Sequence, residues 1–137
     1  MYTIDTNVYI GVSISPYTMD ENCTVYRTME YISKRWSMLI LLELFKGQDG
    51  NKRYSELKAD LPGITPKVLS GRLKELEAEG LIRKKVDMSS FPVRSDYQLT
   101  PAGFALIDVV KDLKNWALTW KIDNEACKRM DCARCRL

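Results

Sequence analysis

The stretch that decides the fold runs from Ile64 to Pro101. It begins Ile64-Thr65-Pro66-Lys67-Val68-Leu69-Ser70-Gly71-Arg72-Leu73-Lys74-Glu75-Leu76-Glu77-Ala78-Glu79-Gly80-Leu81-Ile82. After a basic loop it closes with Asp96-Tyr97-Gln98-Leu99-Thr100-Pro101. Thr65 is a good N-cap, and Pro66 stands at the first helical position, where a missing N–H costs nothing. Leu69, Leu73 and Leu76 recur at i, i+4 and i+7, giving one apolar stripe, and Gly80 is a stop signal. Leu81 to Asp87 and Arg94 to Leu99 then read as two strands joined by Met88-Ser89-Ser90-Phe91-Pro92-Val93. A capped helix thus leads directly into a two-stranded ribbon with a basic tip.

Working outward, a helix is expected from Asp20 or Asn22 to about Ser33, with Val25, Met29 and Ile32 at helical spacing. A second, from about Arg35 to Phe45, is apolar on nearly every side and should be the central buried helix. Gly47 ends it before a loop from Gln48 to Asn51. Lys52-Arg53-Tyr54 reads as a very short strand, and Ser55 as the cap of a short helix through Leu61. Leu61-Pro62-Gly63 forms a turn. On the far side, Thr100-Pro101 repeats the cap-plus-proline signal and opens a long helix. Leu106, Val109, Val110, Leu113, Trp116, Ala117 and Trp120 lie on one broad face of it.

The order helix, helix, short strand, helix, helix, strand, wing, strand, long helix is that of a winged helix-turn-helix. The fold class is mainly α with a small antiparallel β-ribbon (α+β). Three segments are expected. Residues 1–20 are either an added strand or a partly ordered arm, residues 21–122 hold the winged helix-turn-helix with its first and last helices, and residues 123–137 form a Cys-rich basic tail.

At 137 residues, with 45% hydrophobic and 28% charged residues, the chain suits one soluble globular domain. No signal peptide and no run of roughly 18 apolar residues is read, so a cytoplasmic protein without membrane contact is expected. The net charge of +3 is uneven: −2 over residues 1–51, +4 over 52–94 and +1 over 95–137. The excess falls on the helix and ribbon that began the reading. There is no histidine, which removes Ser-His and Cys-His catalysis and any His-containing metal site. The chain is therefore not expected to be an enzyme, and no cofactor is expected.

On the helix from Pro66 to Glu79, Thr65, Lys67, Ser70, Gly71 and Lys74 fall away from the leucine stripe and toward the N-terminal end. Short side chains and glycine let a helix enter the major groove closely, while lysine reaches base edges or phosphates. Helix N-termini also present free N–H groups to phosphate. Glu75, Glu77 and Glu79 gather at the other end. An ordinary amphipathic surface helix is the alternative reading, and the flanking elements are what favour the DNA reading over it. Arg94, beside Ser89 and Ser90, supplies a basic side chain to the ribbon tip, where it suits the minor groove or nearby phosphates. In Arg83-Lys84-Lys85, charge falls on both faces of the strand, so part of that run is simply solvated. The candidate DNA contacts are Arg53, Ser55, Thr65, Lys67, Val68, Ser70, Gly71, Lys74, Ser89, Ser90 and Arg94.

Seven pieces, in this order and spacing, resemble the HxlR-type family of winged-helix transcriptional regulators, which is related to the MarR group. They are Cys23 with Trp36 thirteen residues on; Lys34-Arg35-Trp36-Ser37-Met38-Leu39-Ile40-Leu41; Lys52-Arg53-Tyr54-Ser55-Glu56-Leu57; Leu61-Pro62-Gly63-Ile64-Thr65; Leu69 with Arg72-Leu73-Lys74-Glu75-Leu76; Glu79-Gly80-Leu81-Ile82; and Tyr97-Gln98-Leu99-Thr100-Pro101-Ala102-Gly103. The resemblance implies a homodimer built by the first and last helices, here through Tyr26, Met29, Leu113, Trp116 and Trp120, reading a palindromic operator in double-stranded DNA. The tryptophans have a simpler alternative role, completing the core of the single chain. Thr24 departs from the proline common after the N-terminal cysteine, and the Gln48–Asn51 loop is slightly long.

The resemblance also places Cys23 where some members carry a redox-sensing thiol. The first turn of a helix favours thiolate, although Asp20 and Glu21 oppose it, and a half-buried packing cysteine is the alternative reading. Cys127, Cys132 and Cys135 stand in the tail, the last two spaced Cys-x-x-Cys. They admit a metal site, a redox disulfide or an unstructured tail of free thiols. Two rival functions stay open: a winged-helix module for protein–protein contact, and a small Cys-based metal or redox protein.

Overall fold

The computed structural model describes residues 22–135, so the expected arm over residues 1–20 lies outside it. The chain divides into two units, residues 1–30 and residues 31–137. In the first, Cys23 stands one residue before helix α1 (Thr24–Ile32) and its carbonyl accepts the Arg27 N–H at 3.0 Å.

The second unit continues with α2 (Ser37–Lys46), a 3-10 turn (Gln48–Gly50), β1 (Asn51–Arg53), α3 (Tyr54–Asp60) and α4 (Pro66–Ala78). Then come β2 (Ile82–Asp87), β3 (Arg94–Leu99), α5 (Pro101–Trp120), α6 (Glu125–Arg129) and a final 3-10 turn (Cys132–Arg134). The strands form an antiparallel sheet with β3 in the middle, pairing Arg53 with Asp96 on one side and Asp87 with Arg94 on the other. This is the expected α+β winged helix-turn-helix.

The core is gathered around α2. Ile40, Leu41 and Leu44 are buried there against Leu57, the stripe Leu69, Leu73 and Leu76, the strand residues Tyr97 and Leu99, and Ile107 of α5. Both cap-plus-proline signals work as read: Thr65 Oγ1 accepts the Val68 N–H at 3.2 Å, and Thr100 Oγ1 accepts the Gly103 N–H at 3.2 Å. Thr100 does more. Its hydroxyl donates to the Gly80 carbonyl at 2.6 Å and its N–H to the Leu81 carbonyl at 3.1 Å, clasping the end of α4 to the start of α5. Gly103 is required there, because a Cβ would collide with the Leu81 carbonyl oxygen.

Several boundaries differ from the sequence reading. α1 begins at Thr24 rather than directly after Asp20 or Asn22, so Cys23 precedes the helix instead of standing in its first turn. α2 begins at Ser37, not Arg35, because Trp36 adopts a left-handed backbone with φ 83°. A non-glycine residue there is strained by roughly 1–3 kcal/mol and needs support. The Trp36 ring packs on the core, with the Arg35 guanidinium 5.1 Å from its centre. The short strand is Asn51–Arg53, so Tyr54 opens α3 and Arg53, not Ser55, is its N-cap. The Arg53 N–H donates to the Glu56 carboxylate at 3.3 Å, the half of a capping box that an arginine, having no acceptor, can make. Nor is α2 buried all round, since Leu39 is exposed.

The tail is folded: Asn124 caps α6, Lys114 Nζ donates to the Met130 carbonyl at 2.8 Å, and the Cys132–Arg134 turn lies against α2.

Candidate nucleic-acid interface

The polar side of α4 is open over its first half. Thr65, Lys67 and Lys74 are exposed, and a Cβ on Gly71 would meet nothing within 4 Å. Val68 is half-buried and leans on the core. Ser70 is half-buried too, its Oγ 3.4 Å from Tyr54 Oη, so it also ties α4 to α3. Tyr54 is therefore a support of the reading helix that spacing alone did not reveal.

The acidic end of α4 serves the fold. Glu75 takes Lys34 Nζ at 2.8 Å and Arg72 Nη1 at 3.0 Å, and Arg72 Nε donates to the Arg35 carbonyl at 3.2 Å. The hydrogen bond from Lys34 holds the Glu75 carboxyl below its ordinary pKa. Glu77 accepts the Lys84 N–H at 3.1 Å. These carboxylates are occupied, which leaves the positive helix start unopposed at the other end.

Arg53 and Ser55, at the start of α3, meet Ser90, Pro92, Val93, Arg94 and Ser95 of the wing across a cleft of about 400 Å³. Four expected contacts therefore share one surface. Two wing residues have partners that the sequence did not show. Arg94 opens β3 as read, at the base of the tip, and its Nε lies 3.3 Å from the Asp96 carboxylate two residues along the same strand face. Ser89 is committed to the turn: its N–H and Oγ donate to Asp87 at 3.0 and 2.6 Å, and the hydroxyl bond chiefly lowers the Asp87 pKa. The residues at the tip are Met88, Phe91 and Val93, all exposed. Periodicity assigned them no role, because a loop has no period to read. Arg83, Lys84 and Lys85 are all exposed, the last two strand faces being equally open.

Lys52 lies behind the interface, bonded to Asp60 at 2.7 Å and Glu43 at 3.2 Å. Burial by itself would lower its pKa; the two carboxylates outweigh that and raise it. The Cys132–Arg134 turn borders the same group across a cavity of about 730 Å³.

The expected dimer residues are not core. Trp116 is 52% and Trp120 71% exposed, Leu113 and Met29 are exposed, and Tyr26 is half-buried. The alternative that the tryptophans complete the single chain's core fails on this. Cys23 is exposed. Cys127, Cys132 and Cys135 are half-buried, and no disulfide joins them. Among the described residues, no three His, Cys, Asp or Glu side chains are grouped to hold a metal ion. No helix of the described residues is long and apolar enough to cross a membrane.

Residues 31–125 match the HxlR-like helix-turn-helix family, from before α2 to the start of α6. The chain belongs to that family. The HxlR-like assignment is joined by close relatives. The uncharacterised HTH-type transcriptional regulator YvaP of Bacillus subtilis (strain 168) is 40% identical over 94 residues, covering 69% of this chain and 83% of the relative. The reduced form of the transcriptional regulator YodB from B. subtilis superposes with TM-score 0.64 at 30% identity, covering 79% of this chain and all of that one. The redox regulator HypR in its oxidised form gives TM-score 0.62 at 30% identity, covering 73% and 99%. This HxlR-like chain is thus a helix-turn-helix transcriptional regulator, and its relatives are regulators rather than enzymes.

Proposed function

We propose that the protein is a cytoplasmic homodimer that binds a palindromic operator in double-stranded DNA. One observation carries the reading: α4 offers Thr65, Lys67, Gly71 and Lys74 on an open face. That face is polar, cationic and unblocked at the helix start, as entry into a major groove requires. The cleft of Arg53, Ser55, Ser90 and Arg94 supplies backbone contacts beside it. The bare stripe of Leu113, Trp116 and Trp120 on α5 supports burial against a second copy, and exposed Met29 with Tyr26 on α1 supports the same for the first helix. A two-fold dimer then presents two α4 helices to half-sites about 34–36 Å apart.

Fluorescence anisotropy with duplexes selected from a random pool, repeated across a salt series, tests this. Binding that weakens steeply with salt is expected, because each neutralised phosphate releases counterions. Binding that is absent, or indifferent to salt, would instead favour a protein–protein module.

A thiol-sensing role is proposed for Cys23, supported by its exposure at the start of α1 and by the likeness to HypR, a redox regulator. Treatment with the thiol oxidant diamide is expected to change operator affinity in the wild type and not in Cys23→Ser. Equal responses would move sensing to the tail thiols or remove it.

A further inference from the structure

The wing ends in apolar side chains that this chain leaves bare. Phe91 is 100% exposed, Met88 80% and Val93 55%. A single exposed apolar residue is ordinary on a protein surface. Here three fall within six residues at the end of a ribbon, and β2 behind them carries Arg83, Lys84 and Lys85, all exposed. Of the acidic groups nearby, Asp96 is paired with Arg94, while Asp87, bonded to Ser89, keeps its negative charge across the ribbon from Arg94. An apolar tip in front of a run of cations fits a surface whose walls are apolar and whose rims are anionic. The minor groove, with deoxyribose walls between rows of phosphate, is such a surface.

β2 leaves the end of α4 through Gly80, where the Leu81 N–H donates to the Leu76 carbonyl at 3.0 Å. Six strand residues at about 3.4 Å each hold the tip roughly 20 Å from that end of the helix.

We propose that the wing tip is an apolar wedge for the minor groove, with Phe91, flanked by Met88 and Val93, pressing on a base step beside each half-site. The inference rests on the DNA-binding reading above and adds a determinant of specificity to it. A wedge must partly unstack the step it enters, and pyrimidine–purine steps such as TA yield most easily. Phe91 therefore selects sequence by deformability, at a position where no hydrogen bond reads a base.

The test uses the full chain and duplexes selected by the wild type, re-synthesised with the flanking TA step changed to AA. The wild type is expected to favour TA by about tenfold, with DNA bending visible in phased-bend gels. F91S should lose that preference and about tenfold in affinity, while its salt slope and melting temperature stay those of the wild type. F91L, which keeps apolar bulk, should retain most of the preference. Wild-type affinity and step preference in F91S would overturn the wedge. So would a change of sedimentation in F91S without DNA, which would mean that a second copy covers the tip. If the wild type selects no duplex at all, the DNA-binding reading itself fails and the wedge falls with it.

Discussion

Gly71 lies inside α4, away from its ends, and the space where its Cβ would stand is empty to 4 Å. Glycine in an exposed helix interior costs about 0.8–1.0 kcal/mol relative to alanine, and nothing in this chain's packing asks for that cost here. Gly71→Ala should therefore stabilise the protein by up to about 1 kcal/mol, raising the melting temperature by roughly 3–5 °C for a domain of this size. The same methyl adds about 1.5 Å to the surface of the proposed reading face. If the groove floor or a phosphate approaches there, operator affinity should fall about tenfold, equivalent to about 1.4 kcal/mol. Circular dichroism melting at fixed protein concentration gives the first quantity and an anisotropy titration gives the second. A more stable variant with unchanged affinity would refute close approach at Gly71 and shift the contact toward Thr65 and Lys67. A lower melting temperature would refute the packing argument itself.

Lys67→Ala should cost roughly 1–3 kcal/mol of operator binding and alter base preference, read by competition among selected sites, with melting unchanged because Lys67 is exposed. Trp116→Lys with Trp120→Lys should convert the proposed dimer into monomer in sedimentation; a dimer that persists would remove α5 from the interface. Gly103→Ala forces a Cβ into the Leu81 carbonyl and should destabilise the fold by about 2 kcal/mol or more, measured by urea unfolding. The depressed Glu75 carboxyl gives a pH signature. Its stabilisation is complete above the unfolded carboxylate range near pH 4.3 and is lost as pH falls through the lower folded value. Wild type and Glu75→Gln should thus differ in melting temperature at neutral pH and converge at strongly acid pH.

The caps and stripes were legible because their physics is local. Thr65-Pro66, Thr100-Pro101 and the leucines of α4 sit in the structure where spacing placed them, and the expected ribbon differs only at Leu81. What spacing could not show depends on contacts distant in sequence. Trp36 is held left-handed by core packing, and Ser70 is shared with Tyr54 sixteen residues away. Arg94 reads as a free cation until Asp96 is seen on the same face of β3. The tail looked separable because three cysteines and several basic residues carry no periodicity. Its fold comes from Asn124, Asp131 and the hydrogen bond from Lys114.

The clasp made by Thr100 couples two helices with different tasks. It ties Gly80 and Leu81, just past α4, to the start of α5, so a turn of α5 about this point would be passed on to α4. α4 is thirteen residues long, about 20 Å, so a tilt of about 10° at that point swings its far end by about 3.4 Å. That is the rise of one base pair. With the proposed DNA reading, a signal that turned α5 and α4 together by this small angle would shift the reading face by about one base pair, and the buried stripe of Leu69, Leu73 and Leu76 would slide on α2 as it did so.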